Sequence, residues 1–464
     1  MIEAQDTFNN TAEMGSDGFS VLDDLIRALS GSISQENTAE IIQTCAPLSA
    51  ADIAEVISKL GIEKSLPLVR ALDDAINPDV YVYLDNDIVT KLFEDLDDAY
   101  IASILNQMDS DDALDLIEDL DEDAQQKILK TLSRKMRVTL EEGLTFPEDS
   151  AGRLMQRHLV AVPQFWTVGK TLDFLRAARE SVPEHFYGIF VVDPMHHVVG
   201  EVPAGRILRA PRSTKMSDIT LDDVHLIKAD RDQEDVAHIF RREGLVSAPV
   251  VNEDNRLIGV ITVNDIVDVI DEEAEEDLLK LGGVSNDDIY RDVLKTTRSR
   301  FSWLAVNLLT AILASIVISL FEATIDQVVA LAVLMPIVAS MGGNAGTQAL
   351  TVAVRAIATK EISASNAWRV IGKEVIVGTL NGFFFAIIIG VVTWLWFSSL
   401  TLGLIISVSM VLNLIIAGFS GASIPILLDR YGLDPAVSSS VFLTTVTDVI
   451  GFFAFLGLAA MFLL

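Results

Sequence analysis

The sequence predicts a multidomain protein: an all-α acidic superhelical front, a tandem α/β pair, a connecting helix and a five-helix α transmembrane domain. Three observations predict it. Charge is segregated along the 464 residues, with 33 acidic and 10 basic residues in 1–150, 26 and 19 in 151–300, and only 7 and 5 in 301–464. Five apolar runs follow residue 301, each near or above the ~20 residues that cross a bilayer. Between front and back, a strand–turn–strand–helix pattern occurs twice. The limits drawn from these are a disordered tail at 1–21, an acidic helical domain at 22–147, the α/β pair at 148–272, the connecting helix at 273–300 and the membrane domain at 301–464.

The start of the chain, MIEAQDTFNNTAEMGSDGF, has neither a basic n-region nor an apolar h-region, and reads as a polar tail rather than a signal peptide. After it, spaced Leu, Ile and Ala between regular acids give amphipathic helices. Ala113, Leu116, Ile117 and Leu120 form one such stripe. The triplet LDD recurs at 22–24, 72–74 and 96–98, which suggests stacked helical hairpins. Residues 153–212 and 213–272 read as two copies of one unit. The second runs from a strand at 248–251 through a turn (NEDNR) and a strand at 258–262 to a helix starting near Asn264 or Asp265.

The five spans are expected at about 302–320, 328–358, 371–397, 402–428 and 438–464. The second is long for one straight crossing and holds Pro336 and several glycines, so either its ends leave the hydrocarbon or it is broken. The flanking bases are Lys295, Arg298, Arg300, Arg355, Lys360, Arg369, Lys373 and Arg430. All fall on one side if the N-terminus is cytoplasmic and the C-terminus outside.

The strong acidity argues against nucleic acid, which needs clustered Lys and Arg, and favours cations. One cysteine, Cys45, gives neither a disulfide framework nor a Cys-based metal site. Asp448 is the informative residue. It stands in an otherwise uncharged run, roughly 15 Å of helix beyond Ser438. A carboxylate there costs ~2.5–3.5 kcal/mol or more, and intramembrane acids usually mark ion or proton pathways. Thr444 shares its helix face and Thr445 lies near it, with Thr447 in the same polar cluster. Their hydroxyls either serve water around an ion or bond to backbone carbonyls. In PIVASMGGNAGTQA, Gly342, Gly343 and Gly346 permit close approach or unwinding. Asn344, Gln348 and any freed carbonyls are hard oxygen donors suited to Mg2+ or Ca2+. These groups fit a largely hydrated Mg2+ and serve Ca2+, Mn2+ or protons equally well. In the run DVIDEEAEEDLLKLGG, Asp268, Asp271, Glu272, Glu273, Glu275, Glu276 and Asp277 repel at i,i+4 spacing, which divalent cations would relieve.

Taken together, FPEDSAGRLM, GVITVNDIVDVIDEEAEED, PIVASMGGNAGTQA and YGLDPAVSSSVFLTTVTDVIG resemble the MgtE family of magnesium transporters and channels along residues 22–464. The resemblance implies that the α/β pair is a tandem CBS pair and that the protein is a homodimer in the cell membrane with its pore at the subunit interface. It implies Asp448 as the pore acid, Gly342, Gly343 and Asn344 as pore lining, and Asp434 as the acid at the cytoplasmic pore end. Closure would come from cytosolic Mg2+ held between Asp111 and Asp115 of the front and Asp265, Asp268, Glu273, Glu276 and Asp277, with a plug helix at 285–300. Thr262 and Asp265 keep a pattern with which CBS modules hold a ribose, implying ATP at the second module. The first module ends EVPAGRIL and lacks that acid.

Other function classes are a proton-coupled transporter or exporter with Asp448 as proton carrier, an intramembrane enzyme, and a signalling receptor. The spans contain no His, so neither a Ser–His pair nor a zinc protease site is available, and an aspartyl protease would need a second acid.

Overall fold

The computed structural model describes residues 18–463 apart from 119, 179–181, 184–185, 222, 285–292 and 364. The predicted tail at 1–17 lies outside the described residues, whereas 18–21 are already helical. The chain forms two compact units that meet between Asp271 and Glu272.

The first unit opens with helices α1 (Gly18–Ser34), α2 (Thr38–Cys45), α3 (Ala50–Leu60), α4 (Ile62–Leu72), α5 (Asn86–Asp95), α6 (Asp98–Leu105), α7 (Ser110–Glu118), α8 (Glu122–Thr131) and α9 (Arg134–Gly143). Much of the acidity sits at helix starts, where it satisfies free N–H groups and suits the helix dipole. Ser49 and Asp52 form a reciprocal capping box, and Asp85 and Asp121 accept from Asp87 N and Ala124 N. The stripe Ala113, Leu116, Ile117 and Leu120 is buried as predicted. The LDD triplet is not a structural repeat. Leu22–Asp24 lie inside α1, Leu72 ends α4 with Asp73 at its cap, and Leu96 and Asp97 precede α6.

The α/β pair follows: α10 (Ala151–Leu154), β1 (Ala161–Pro163), α11 (Val168–Ala177), β2 (Gly188–Val192), β3 (Val198–Pro203), α12 (Ala204–Arg209), β4 (Ile227–Lys228), α13 (Gln233–Glu243), β5 (Ser247–Val251), β6 (Leu257–Thr262) and α14 (Val263–Leu281). Each module is a three-stranded sheet with its middle strand parallel to the first and antiparallel to the third. Both carry a register irregularity at the same place, Val191/Val192 and Val250/Val251, which confirms the duplication. Phe190 and Val192 of one module pack with Leu257 and Val260 of the other.

The second unit contains α15 (Val293–Ser319), α16 (Glu322–Gln327), α17 (Ala330–Ala358), α18 (Ala367–Phe397), α19 (Leu400–Arg430) and α20 (Pro435–Leu463). Five of these are long and apolar enough to cross a membrane, in the predicted order. One expectation differs, and one open alternative is decided. First, the connecting region at 273–300 is not one helix. Its start is the end of α14, which stops at Gly282 and at Gly283 with φ +73°. Residues 285–292 of the predicted plug lie outside the described residues, and Val293–Arg300 are the first turns of α15, where no Gly or Pro separates them from the span. Second, α17 is neither broken nor unwound. Pro336 lies near its N-terminal end, and the glycines serve close packing. A Cβ on Gly342 would stand 2.3 Å from Asn413 Nδ2, and one on Gly346 would stand 2.8 Å from Leu443.

Helices α18 and α19 pack backbone to backbone. A Cβ on Gly378 would meet the Leu414 carbonyl oxygen, one on Gly403 that of Gly390, and one on Gly418 that of Glu374, at 2.4, 2.7 and 2.5 Å. Such small-residue contacts are how membrane helices associate without a hydrophobic drive.

Candidate cation site

Asp448 lies thirteen residues into α20, half-buried. It has no hydrogen bond or ion pair to a described residue. A carboxylate at that depth needs a counter-charge, and no described residue of the protomer supplies one. The hydroxyl question is answered in favour of carbonyls: Thr444 donates to Ser440 O and Val441 O at 3.1 Å, Thr445 to Val441 O at 2.7 Å and Thr447 to Leu443 O at 3.0 Å. Thr447 is fully buried, whereas the half-buried Thr444 and Thr445, with their protons spent on the helix, are left with oxygens that accept, which suits the waters of a cation.

In α17 the predicted residues separate onto two faces. Gly342 is buried against Asn413, whose Nδ2 donates to Val338 O at 2.8 Å while its Oδ1 is buried without a partner. Gly343 would leave a Cβ in open space, and Asn344 is exposed, with its Nδ2 3.3 Å from Ser340 Oγ. The helix keeps its carbonyls in regular structure, so Gly342 and Gly343 offer no freed carbonyls.

At the start of α20, Asp434 Oδ1 accepts from Ala436 N at 2.7 Å. Its other oxygen binds Lys280 Nζ at 2.8 Å, and Lys280 also binds Glu276 at 2.5 Å. Two acids singled out in the sequence are thus joined by a lysine that was not. Burial would lower the Lys280 ammonium, but its bonds to Asp434 and Glu276 prevail and hold it above its usual value. Burial and then the Asp434 charge raise the carboxyl of Asp277. Leu281, one residue on, packs among Leu350, Val354, Ala436 and Leu443. Glu273 lies half-exposed on the same helix.

The first unit holds the other acids. Arg153 pairs with Glu118, Arg157 Nη2 lies 3.4 Å from Glu142, and Arg157 N donates to Ser110 Oγ at 3.0 Å. These contacts bring α7 beside the second module. Asp111 is 8% exposed and its Oδ1 has no hydrogen bond. Burial, then Asp112, Asp265 and Asp109, raise its carboxyl well above the ordinary range. Asp112 is raised to about 7 by burial and by Asp109, Asp265, Asp79 and Asp115. Burial likewise raises Asp265 and Asp268. Asp111, Asp115, Asp265 and Asp268 therefore share one neighbourhood. Sequence reasoning missed Asp112 and Asp109, whose signal was the density of acids in MDSDDALD, and Asp79, which lies outside that run. Among the described residues, no three carboxylates converge closely enough to ligate a metal directly.

Asp265 Oδ2 accepts from Thr262 N at 2.8 Å and from Thr262 Oγ1 at 3.0 Å, and Gln156 Nε2 donates to Oδ1 at 3.2 Å. The pair named for a ribose thus caps α14.

The family model for the MgtE divalent cation transporter matches residues 335–458, that for the MgtE intracellular N domain residues 48–149, and that for the CBS domain residues 216–272. The chain is 34% identical to the magnesium transporter MgtE of Thermus thermophilus over 342 residues, 73% of this chain and 75% of that one. It is 33% identical to the magnesium transporter MgtE of Enterococcus faecalis over 324 residues, 70% and 71%. It is also similar to a crystal structure of the cytosolic domain of the Mg2+ channel MgtE in complex with ATP, at 26% identity and a TM-score of 0.49, covering 53% of this chain and 99% of that one.

Proposed function

Because this chain belongs to the MgtE family of divalent cation transporters, we propose that it is a Mg2+-selective channel or transporter for magnesium uptake, closed by cytosolic Mg2+. The observation that carries this reading is Asp448, an uncompensated carboxylate in the fifth span with threonine oxygens one turn away. Mg2+ sheds water reluctantly and takes one or two carboxylates, which this set supplies. The pore forms between two copies, with Asn344 and the threonines lining it and Asp434 at the cytoplasmic end. The soluble unit faces the cytoplasm and the C-terminus lies outside. Inward flow is driven by the membrane potential, worth ~2.3 kcal/mol per charge per 100 mV and twice that for a divalent ion.

Feedback acts through the acids. Asp112 and Asp265 lie close enough to raise Asp111, and Asp265 to raise Asp112, yet among the described residues no three carboxylates converge to chelate a bare ion. A hydrated Mg2+ bridges such a gap through its waters. ATP at Thr262 and Asp265 is a subsidiary proposal. Equilibrium dialysis at millimolar ATP with no bound nucleotide would remove it.

The test is Mg2+ influx into proteoliposomes with no proton gradient, at several internal Mg2+ levels. Flux that runs down the potential and falls as internal Mg2+ rises is the expected result. Flux that requires a pH gradient would instead make Asp448 a proton carrier. The Lys280 network adds a second expectation. Lys280→Met leaves Glu276, Asp277 and Asp434 without their shared ammonium, so more internal Mg2+, by several-fold, should be needed to half-close the flux. An unchanged midpoint would remove Lys280 from the gate.

A further inference from the structure

A cavity of about 220 Å³ lies among α17, α18 and α19, away from Asp448 on α20, and is lined by Gln348, Glu374 and Asn381 together with Val352, Gly378 and Gly418. Glu374 lies seven residues into α18, about 10 Å from its start, and Asn381 about 21 Å; Gln348 lies about 15 Å from the adjoining end of α17. Helix α18 is ~46 Å long against a ~30 Å hydrocarbon core, so Glu374, next to the flanking base Lys373, lies at the edge of the hydrocarbon, with Gln348 and Asn381 further in. None makes a hydrogen bond or ion pair with a described residue. Gln348 and Asn381 are exposed on the protomer and Glu374 is half-buried, and polar side chains facing lipid are costly unless something satisfies them.

We propose that this cavity is a second cation position of the membrane domain, taking a hydrated divalent cation on the Glu374 carboxylate, with the amide oxygens of Gln348 and Asn381 turned to its waters. This rests on the reading of the membrane domain as a cation pathway. The donors are one carboxylate and two amides, all hard oxygens, with no thiol or imidazole. Six waters at ~30 Å³ each occupy ~180 Å³, so the half-open cavity has room for an ion with its shell. The backbone that carries this carboxylate is also held in place. Gly418 lies on the Glu374 carbonyl and Gly378 on that of Leu414, which clamps this turn of α18 to α19.

The test uses Val352→Cys in a Cys45→Ala background of the full chain, reconstituted in lipid. Val352 lines the cavity and is exposed. Its rate of modification by aminoethyl methanethiosulfonate is followed by mass spectrometry. Millimolar Mg2+ should slow modification several-fold, and Glu374→Gln should remove that protection. Absence of protection, or protection that persists in Glu374→Gln, would overturn the proposal. Protection set by phosphatidylethanolamine content and indifferent to Mg2+ would overturn it in favour of a headgroup amine. The same assay in Asp448→Asn should retain protection. Mg2+ flux unchanged by loss of Asp448 would sink the pore reading alone and leave the cavity result standing.

Discussion

Asp448→Ala is expected to lower Mg2+ flux by roughly 100-fold or more, since losing one charge-assisted interaction of ~3 kcal/mol already costs that factor. The carboxylate is the one charge in its span, and no described residue stands ready to replace it. Asp448→Asn keeps the shape and an oxygen but loses the charge, and should sit nearly as low. The variant should fold, because removing an unpaired acid from a membrane helix relieves a cost. Retained flux in a folded Asp448→Ala protein would make the acid structural. The measurement is influx at fixed potential, with the folded fraction read by size exclusion.

The second large effect is expected from pH in the absence of divalent cations. Asp112 is held at about 7 by burial and by its acidic neighbours. A carboxyl raised above its unfolded value adds stability that is complete below the unfolded pKa of ~4 and is lost as pH rises through the folded value. The front unit should therefore be more stable at pH 6 than at pH 8 in EDTA, by a few kcal/mol at most, or on the order of 5 °C in melting temperature. Asp79, Asp109, Asp111, Asp115 and Asp265 face the same group and act in the same sense. Mg2+ should flatten the dependence by screening the same repulsion, and Asp112→Asn should reduce it without metal. A melting temperature that rises with pH in EDTA would refute the acid-repulsion account. Protease access at the junction of α7 with the second module should follow the same trend, falling with Mg2+ or with acid.

The membrane domain was readable because hydropathy reports burial in lipid directly, and the duplicated module because its strand pattern repeats. The lone acid at 448 needed only its apolar surroundings to be noticed. Other residues resisted. Glu374 stands beside Lys373 at the edge of an apolar run, and linear proximity hid it in the charged flank. Lys280 acquires its role from Asp434, a partner far along the chain. Gly342 and Gly343 look alike in sequence, yet neighbouring positions on a helix point about 100° apart, so one packs on Asn413 and the other faces outward. Composition cannot say which of several adjacent aspartates a neighbouring element will cover, and for that reason Asp112 was missed beside Asp111.

The glycine-faced contact of α18 with α19 bears on biogenesis. The two helices are joined by a two-residue turn at Ser398 and Ser399 and meet through their own backbones. Their fit borrows no side chain from later sequence, so the hairpin can close as soon as its second arm has been translated. Helix α20, which carries Asp448 and is translated after that hairpin, then enters the bilayer beside a partner already assembled. Asp448 is therefore committed to the membrane only after part of its surroundings has been built.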